Sequence, residues 1–176
     1  MNDDKIDGLI AACPKNMSAL EELYLIFKRD VILLARSIVK SKESTEDVLQ
    51  ETFIRLRKAA DKYRPCGKGK GYILKIAYNV AHEIYRKNRR TANLDAAMDI
   101  ENPINEFARA EAAIMVGELM KYLNDDEKEF LALRYFSDLT LDDVAHVLGK
   151  TKSSVQWRLE KIFYKLRAHG IDIEVD

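Results

Sequence analysis

The chain is poor in cysteine: Cys13 and Cys66 are the two among 176 residues, and they form no Cys-x-x-Cys pair. That is too few for a disulfide framework and fits a reducing compartment. The histidines, His82, His146 and His169, lie far apart without ligand-like spacing, so neither a metal site nor a cofactor is expected. No apolar run approaches the roughly 18 residues of a membrane span. The acidic start, Met1-Asn2-Asp3-Asp4, has no apolar core after it, so a secretory signal is not expected and the reading is cytoplasmic. No segment alternates as a strand does. No nucleophile–base pair is recognisable, and the run Gly67-Lys68-Gly69-Lys70-Gly71 lacks the spacing of a phosphate-binding loop. An enzyme is therefore not expected.

Nearly half of the residues are apolar and a third are charged, as in a soluble globular protein. The length suits one medium domain or two small helical ones. Net charge is zero, which by itself speaks against nucleic acid, but the charges are unevenly placed. From Arg55 to Arg90 there are twelve Lys/Arg against Asp61 and Glu83. From Lys150 to Arg167 there are six against Glu160, and Thr91 to Val116 between them carries five acids against Arg109. Two basic islands separated by an acidic connector suggest two nucleic-acid contacts on one chain.

Helical periodicity dominates. Leu20, Leu23, Tyr24, Phe27, Val31, Leu34, Ala35 and Ile38 recur at offsets of three and four, which places them on one stripe. Ser44 or Thr45 can cap a second helix whose apolar face is Val48, Leu49, Phe53 and Leu56. The glycines and proline of 65–71 mark a loop. A third helix follows, with Tyr72, Ile73, Ile76, Ala77, Val80 and Ile84 inward, and ends in the cluster Arg86-Lys87-Asn88-Arg89-Arg90. Periodicity then fades. The expectation is an all-α protein of two small helical domains, 1–90 and 113–176, joined by a flexible linker over 91–112. The second domain is read as Leu119 to Leu123, a capped helix from Asn124 to Phe136, a short helix from Thr140 to Leu148 and a last helix from Thr151 to Ala168. Ile171 to Asp176 form a frayed tail.

Leu139 to Arg167 has the form of a helix-turn-helix. Ala145, Gly149 and Val155 stand at offsets of zero, four and ten. A small residue lets the second helix cross close to the first. Glycine permits the left-handed backbone that ends the first helix, and valine packs in the angle between the two. Thr151 can cap the second helix, leaving its first turns free to approach DNA. Lys152, Ser153, Ser154, Gln156 and Trp157 would face the major groove, with Arg158, Lys161 and Lys165 further along for phosphates or bases.

Ser44-Thr45-Glu46-Asp47-Val48-Leu49-Gln50-Glu51-Thr52-Phe53-Ile54-Arg55-Leu56 closely resembles the "A-E-D-L-x-Q-E-x-F-x-x-L" helix of domain two of RNA polymerase sigma factors. Tyr72-Ile73-Leu74-Lys75-Ile76-Ala77-Tyr78-Asn79 resembles that domain's "W-L-x-x-I-A-x-N" helix. Leu123 to Lys128, Leu133 to Phe136, and Leu141 with Val144-Ala145 resemble sigma domain four. The blocks match in order and spacing, and a linker in place of the intermediate domain resembles the extracytoplasmic-function group of the sigma-70 family.

The resemblance implies a promoter-specificity subunit whose partners are core RNA polymerase, promoter DNA and, commonly, an inhibitory anti-sigma protein. Asp47, Gln50 and Glu51 match positions that dock on the polymerase. At offsets of three and four they make one polar patch on a helix. The loop Asp61-Lys62-Tyr63-Arg64 and Asn79 match positions that hold an unstacked base of the −10 element, where an exposed aromatic can stack and an amide can hydrogen-bond. Lys75 belongs to the same −10 surface, and Arg86, Lys87, Arg89 and Arg90 would track the strand's backbone. The duplex −35 element falls to Lys152, Ser153, Ser154, Gln156, Trp157, Arg158, Lys161 and Lys165. Departures from the family are Tyr72 for its usual tryptophan, Glu83 for its aspartate, the Gly-Lys run, and Gln156, Trp157, Glu160 and Phe163 in the last helix. Two alternatives stay open: a stand-alone helix-turn-helix regulator of duplex DNA, and a degenerate sigma-like chain that only binds proteins.

Overall fold

In a computed structural model, residues 3–91 and 121–171 are described. They form seven α-helices, and no strand occurs among them. The chain divides between residues 100 and 101 into two compact units. In the first, α1 is Asp3–Ala12, α2 Met17–Val39, α3 Lys42–Ala59 and α4 Gly69–Thr91, with a 3₁₀ turn at Ala60–Lys62. In the second, α5 is Asp125–Leu131, a π-helical turn covers Ala132–Phe136, α6 is Leu141–Leu148 and α7 is Lys152–Arg167. Apart from its first residue, the expected linker at 91–112 lies outside the described residues, as do Leu119 and Met120 and the tail beyond Ile171.

Unit one is built by three long helices packed on one another, with α1 laid against α2 and α4. Leu23, Phe27, Val31, Leu34, Ala35 and Ile38 of α2 are buried, so the predicted stripe is the core face. Leu20 and Tyr24 lie half-buried at its margin. Val48, Leu49, Phe53 and Leu56 supply the matching face of α3. Burial of each large apolar side chain contributes about 1.5–3 kcal/mol. From α4 the buried residues are Ile73, Leu74, Ala77, Val80 and Ala81, whereas Tyr72, Ile76 and Ile84 are half-buried.

Three local features differ from expectation. First, α3 begins earlier than expected. Ser41, in extended backbone, caps it by accepting from the Ser44 amide at 3.2 Å. The expected caps are instead inside the helix: Thr45 Oγ1 donates back to the Ser41 carbonyl at 2.7 Å, and Ser44 is buried under Asn88, whose Nδ2 donates to its Oγ at 2.9 Å. Second, α4 starts at Gly69, so the loop stops short of two of its glycines. Gly69 is buried against α1: a Cβ there would stand 2.6 Å from both Asp7 Oδ1 and Ile6 Cγ2. Third, α1 was not anticipated. Its Ile6, Ile10 and the following Cys13 are buried at offsets of four and three, the helical signal that the acidic start obscured.

Unit two is organised by its caps. Asn124 and Glu127 form a reciprocal capping box on α5, and Thr140 and Asp143 form another on α6. Gly149 ends α6 at φ 64°, ψ 37°, with the Lys150 amide donating to the Ala145 carbonyl at 2.9 Å. Thr151 caps α7 through the Ser154 amide at 3.3 Å. Val155, Leu159, Ile162, Phe163 and Leu166 then bury one face of α7. The helix-turn-helix reading holds at each of these positions.

Candidate nucleic-acid interface

On α3, Asp47 and Gln50 are exposed and Glu51 is half-buried. They line a shallow groove together with Ile54 and Arg55 and, from α4, Glu83, Ile84 and Lys87. Arg55, by sequence one more cation of the basic island, organises this groove. Its Nε donates to Glu51 Oε1 at 2.7 Å and its Nη2 to Glu83 Oε2 at 2.7 Å. The bond to Glu83, then that to Glu51, pushes the guanidinium further up, and the bond from Arg55 holds the Glu83 carboxyl below its ordinary value. The family departure at position 83 is thus employed: the longer acid reaches across to α3. Ile54, 46% exposed, is an apolar spot beside this charged trio.

On α4, Lys75, Asn79, Arg86 and Arg89 recur at helical spacing and share one side of the helix, with Arg90 at its margin. Asn79, Arg86, Arg89 and Arg90 are exposed. Lys75 is half-buried, its Nζ 5.9 Å from the Tyr78 ring, and burial pulls its ammonium below the ordinary value. Lys87 sits on another side: it lines the groove facing α3 and also a hollow shared with Glu83, Arg86 and Arg90.

The loop before α4 departs from expectation. Tyr63 is 8% exposed and cannot present its ring to a base. Its hydroxyl donates to Asp7 Oδ1 at 2.6 Å, and its ring packs on Tyr72 at 4.6 Å between centroids. The cause is α1, which closes over the loop from below. Burial, and then the hydrogen bond to Asp7, push the Tyr63 phenol far up, so it remains a donor. Arg64, Pro65, Cys66, Gly67 and Lys68 are the exposed residues of the loop.

On α7, Lys152, Ser153, Ser154, Gln156, Trp157 and Lys161 are exposed, and Trp157 is exposed to 62%. Trp157 therefore does not pack inside its own domain. Lys161 Nζ lies 5.0 Å from its ring, which joins an aromatic face and a cation on one outward stripe. Lys152 pairs with Asp142 at 2.8 Å, and Gln156 Nε2 donates to Glu160 at 3.3 Å. Two further residues expected at the DNA also meet α5. Lys165 Nζ pairs with Glu127 Oε2 at 2.8 Å, and the Arg158 guanidinium lies 5.5 Å over the Phe130 ring. Their position on the flank next to α5, not on the outward stripe, is the reason.

No group of residues that could hold a metal ion occurs among the described residues, and no helix among them is long and apolar enough to cross a membrane.

Residues 23–91 match the family model of sigma-70 region 2, and residues 119–168 match that of sigma-70 region 4. The two matches fall in successive units of the chain and together cover more than half of it. The chain is 24% identical over 156 residues to the extracytoplasmic-function RNA polymerase sigma factor SigM of Bacillus subtilis, covering 85% of this chain and 93% of that one. It is 26% identical over 155 residues to the RNA polymerase sigma-H factor of Pseudomonas aeruginosa, covering 80% of each. The fold is similar to that of CnrH, solved in complex with the cytosolic domain of CnrY, with a TM-score of 0.68, 22% identity and coverage of 95% and 96%. This chain belongs to the sigma-70 family of RNA polymerase sigma factors, in its extracytoplasmic-function group. Its function is accordingly promoter-specific initiation of transcription, exercised as a non-enzymatic subunit.

Proposed function

We propose that this chain joins core RNA polymerase in the cytoplasm through the α3 face of Asp47, Gln50 and Glu51, and that its two units divide the promoter between them. The observation that carries the reading is the pairing, within unit one, of an acidic-polar groove on α3 with a basic stripe on α4. A polymerase surface rich in arginine suits the first, and a single strand of DNA suits the second. Arg55 holds Glu51 in place, so that docking costs less side-chain ordering. Ile54 adds an apolar anchor to a charged contact.

At the −10 element, the exposed edge of the loop before α4 and the Asn79 amide hydrogen-bond the unstacked base, while Lys75, Arg64, Arg86, Arg89 and Arg90 hold phosphates. Tyr63 supports the loop from beneath, and base capture rests on hydrogen bonding and charge instead of stacking on its ring. At the −35 element, the outward stripe of α7 enters the major groove, with Ser153, Ser154, Gln156, Trp157 and Lys161 toward the bases and Lys152 toward the backbone. Lys165 and Arg158 act by holding α7 on α5. An anti-sigma protein that covers these faces is proposed as a further partner. The reading is supported by the CnrH structure, which contains a protein partner's cytosolic domain.

Run-off transcription tests the proposal. Core polymerase from the matching host is incubated with a pool of genomic fragments, with and without this chain. Discrete new transcripts that vanish with Gln50→Ala/Glu51→Ala are expected. Absence of transcripts from a folded protein would favour the duplex-DNA regulator or the protein-only module, and capture of polymerase by the chain separates those two.

A further inference from the structure

Asp7 lies outside both family matches and outside every surface discussed above, yet it is one of the most engaged polar side chains of unit one. It sits on the buried face of α1 between Ile6 and Ile10 and is 3% exposed. A buried carboxylate is costly unless its oxygens are satisfied. Here three donors from one short loop converge on it. Oδ1 accepts from the Tyr63 hydroxyl at 2.6 Å. Oδ2 accepts from the backbone amides of Cys66 at 2.6 Å and Gly67 at 2.7 Å. Burial alone would raise its carboxyl, but these bonds, with one from the Gly69 amide, outweigh that and hold it below the ordinary value. The acid therefore ties both ends of the segment 63–67 and the start of α4 to α1.

Two glycines shape the contact. Gly67 takes φ 69°, a conformation that turns its amide inward at little steric cost. Gly69 leaves no room for a side chain against Asp7. What the clamp leaves outside is the exposed edge of the loop, Arg64 to Lys68.

We infer that Asp7 is a positioning residue for −10 recognition: it holds the loop 63–68 in the single conformation in which the loop reads the melted strand. This rests on the assignment of that loop to the −10 element. Asp7 touches no DNA and acts through Tyr63 and the Cys66 and Gly67 amides. The requirement is for an acceptor at both oxygens. Asparagine has nearly the same shape but turns an NH₂ toward a donor, so it should release one end of the loop.

The test uses the full chain assembled with core polymerase, as wild type, Asp7→Asn and Tyr63→Phe. The probes are a promoter recovered from the run-off screen with its −10 bases held open as a bubble, and a set of the same bubbles with single −10 base changes. Asp7→Asn should bind polymerase within about twofold of wild type, since the docking face is remote from it. Its discrimination between cognate and altered bubbles should fall about tenfold, the factor that one charge-assisted hydrogen bond supplies. Tyr63→Phe, which keeps the ring and loses one donor, should show a smaller fall of the same sign. Unchanged discrimination in both variants overturns the inference. So does an equal loss on every bubble, because that reports a smaller folded fraction, which a purely structural acid would also produce. If Asp7→Asn does not fold, Tyr63→Phe decides alone. Failure of the underlying assignment looks different: Arg64→Ala, on the exposed edge of the loop, would then bind every bubble as the wild type does.

Discussion

Replacing Gly149 with alanine tests the physical account of the second unit. Gly149 ends α6 at φ 64°, ψ 37°, and the turn lets the Lys150 amide reach the Ala145 carbonyl at 2.9 Å. An L-residue with a Cβ in this left-handed conformation costs about 1–2 kcal/mol. Alanine recovers about 0.4–1 kcal/mol by restricting the unfolded chain. The net expectation is a destabilisation of about 1 kcal/mol, which in a domain of this size lowers Tm by about 4–8 °C. Gly149→Asn should fall between alanine and glycine, because asparagine tolerates the left-handed region better. The chain has one tryptophan, Trp157 in α7, so its emission during urea unfolding reports this unit. An alanine variant as stable as the parent, or an asparagine variant weaker than alanine, would refute the argument that backbone strain at the turn sets the effect. Binding to polymerase through α3 should not change in any of them.

Acid should destabilise the chain with a predictable sign. The carboxyls of Asp7, Glu83 and Glu127 are all held below their ordinary values of 3.8, 4.5 and 4.5: Asp7 against its burial by the loop's donors, Glu83 by Arg55, and Glu127 against its burial by Lys165. The unfolded chain binds those protons more readily, so the stabilisation is complete above the ordinary values and is lost as pH falls through the depressed ones. Urea midpoints should drop between neutral pH and about pH 3, and stability that rises on acidification contradicts the assignment. Trp157→Ala should alter stability by no more than about 0.5 kcal/mol, given its exposure, while lowering affinity for a −35 duplex about tenfold. Unchanged duplex affinity would assign the ring to a protein partner. Arg89→Ala should weaken single-strand binding of the assembled holoenzyme and flatten its dependence on log salt by about 0.7; a slope equal to wild type would remove Arg89 from the phosphate contacts.

Helix phase, the caps of the second unit and the helix-turn-helix could be read from the chain itself. They are local properties: apolar residues every three or four positions mark one helix face, Thr140 and Thr151 carry their cap chemistry with them, and only glycine takes the Gly149 backbone without strain. The two basic islands likewise needed nothing but counting. The order of the three motif blocks was enough to place the family.

What the sequence could not decide were matters of which side chains meet across distance. Tyr63 looked available for stacking because nothing near it in the chain covers it; Asp7, 56 positions away, does. Lys165 and Arg158 read from the chain as DNA contacts alone, and only the packing of α7 on α5 adds Glu127 and Phe130 as their neighbours. Arg55 reads as one more cation in a basic run, and only the approach of α4 to α3 makes it the bridge between Glu51 and Glu83. Periodicity along the chain determines which face of a helix is buried; whether a polar side chain is spent within the fold or offered to a partner depends on which neighbour the tertiary structure brings within hydrogen-bond reach.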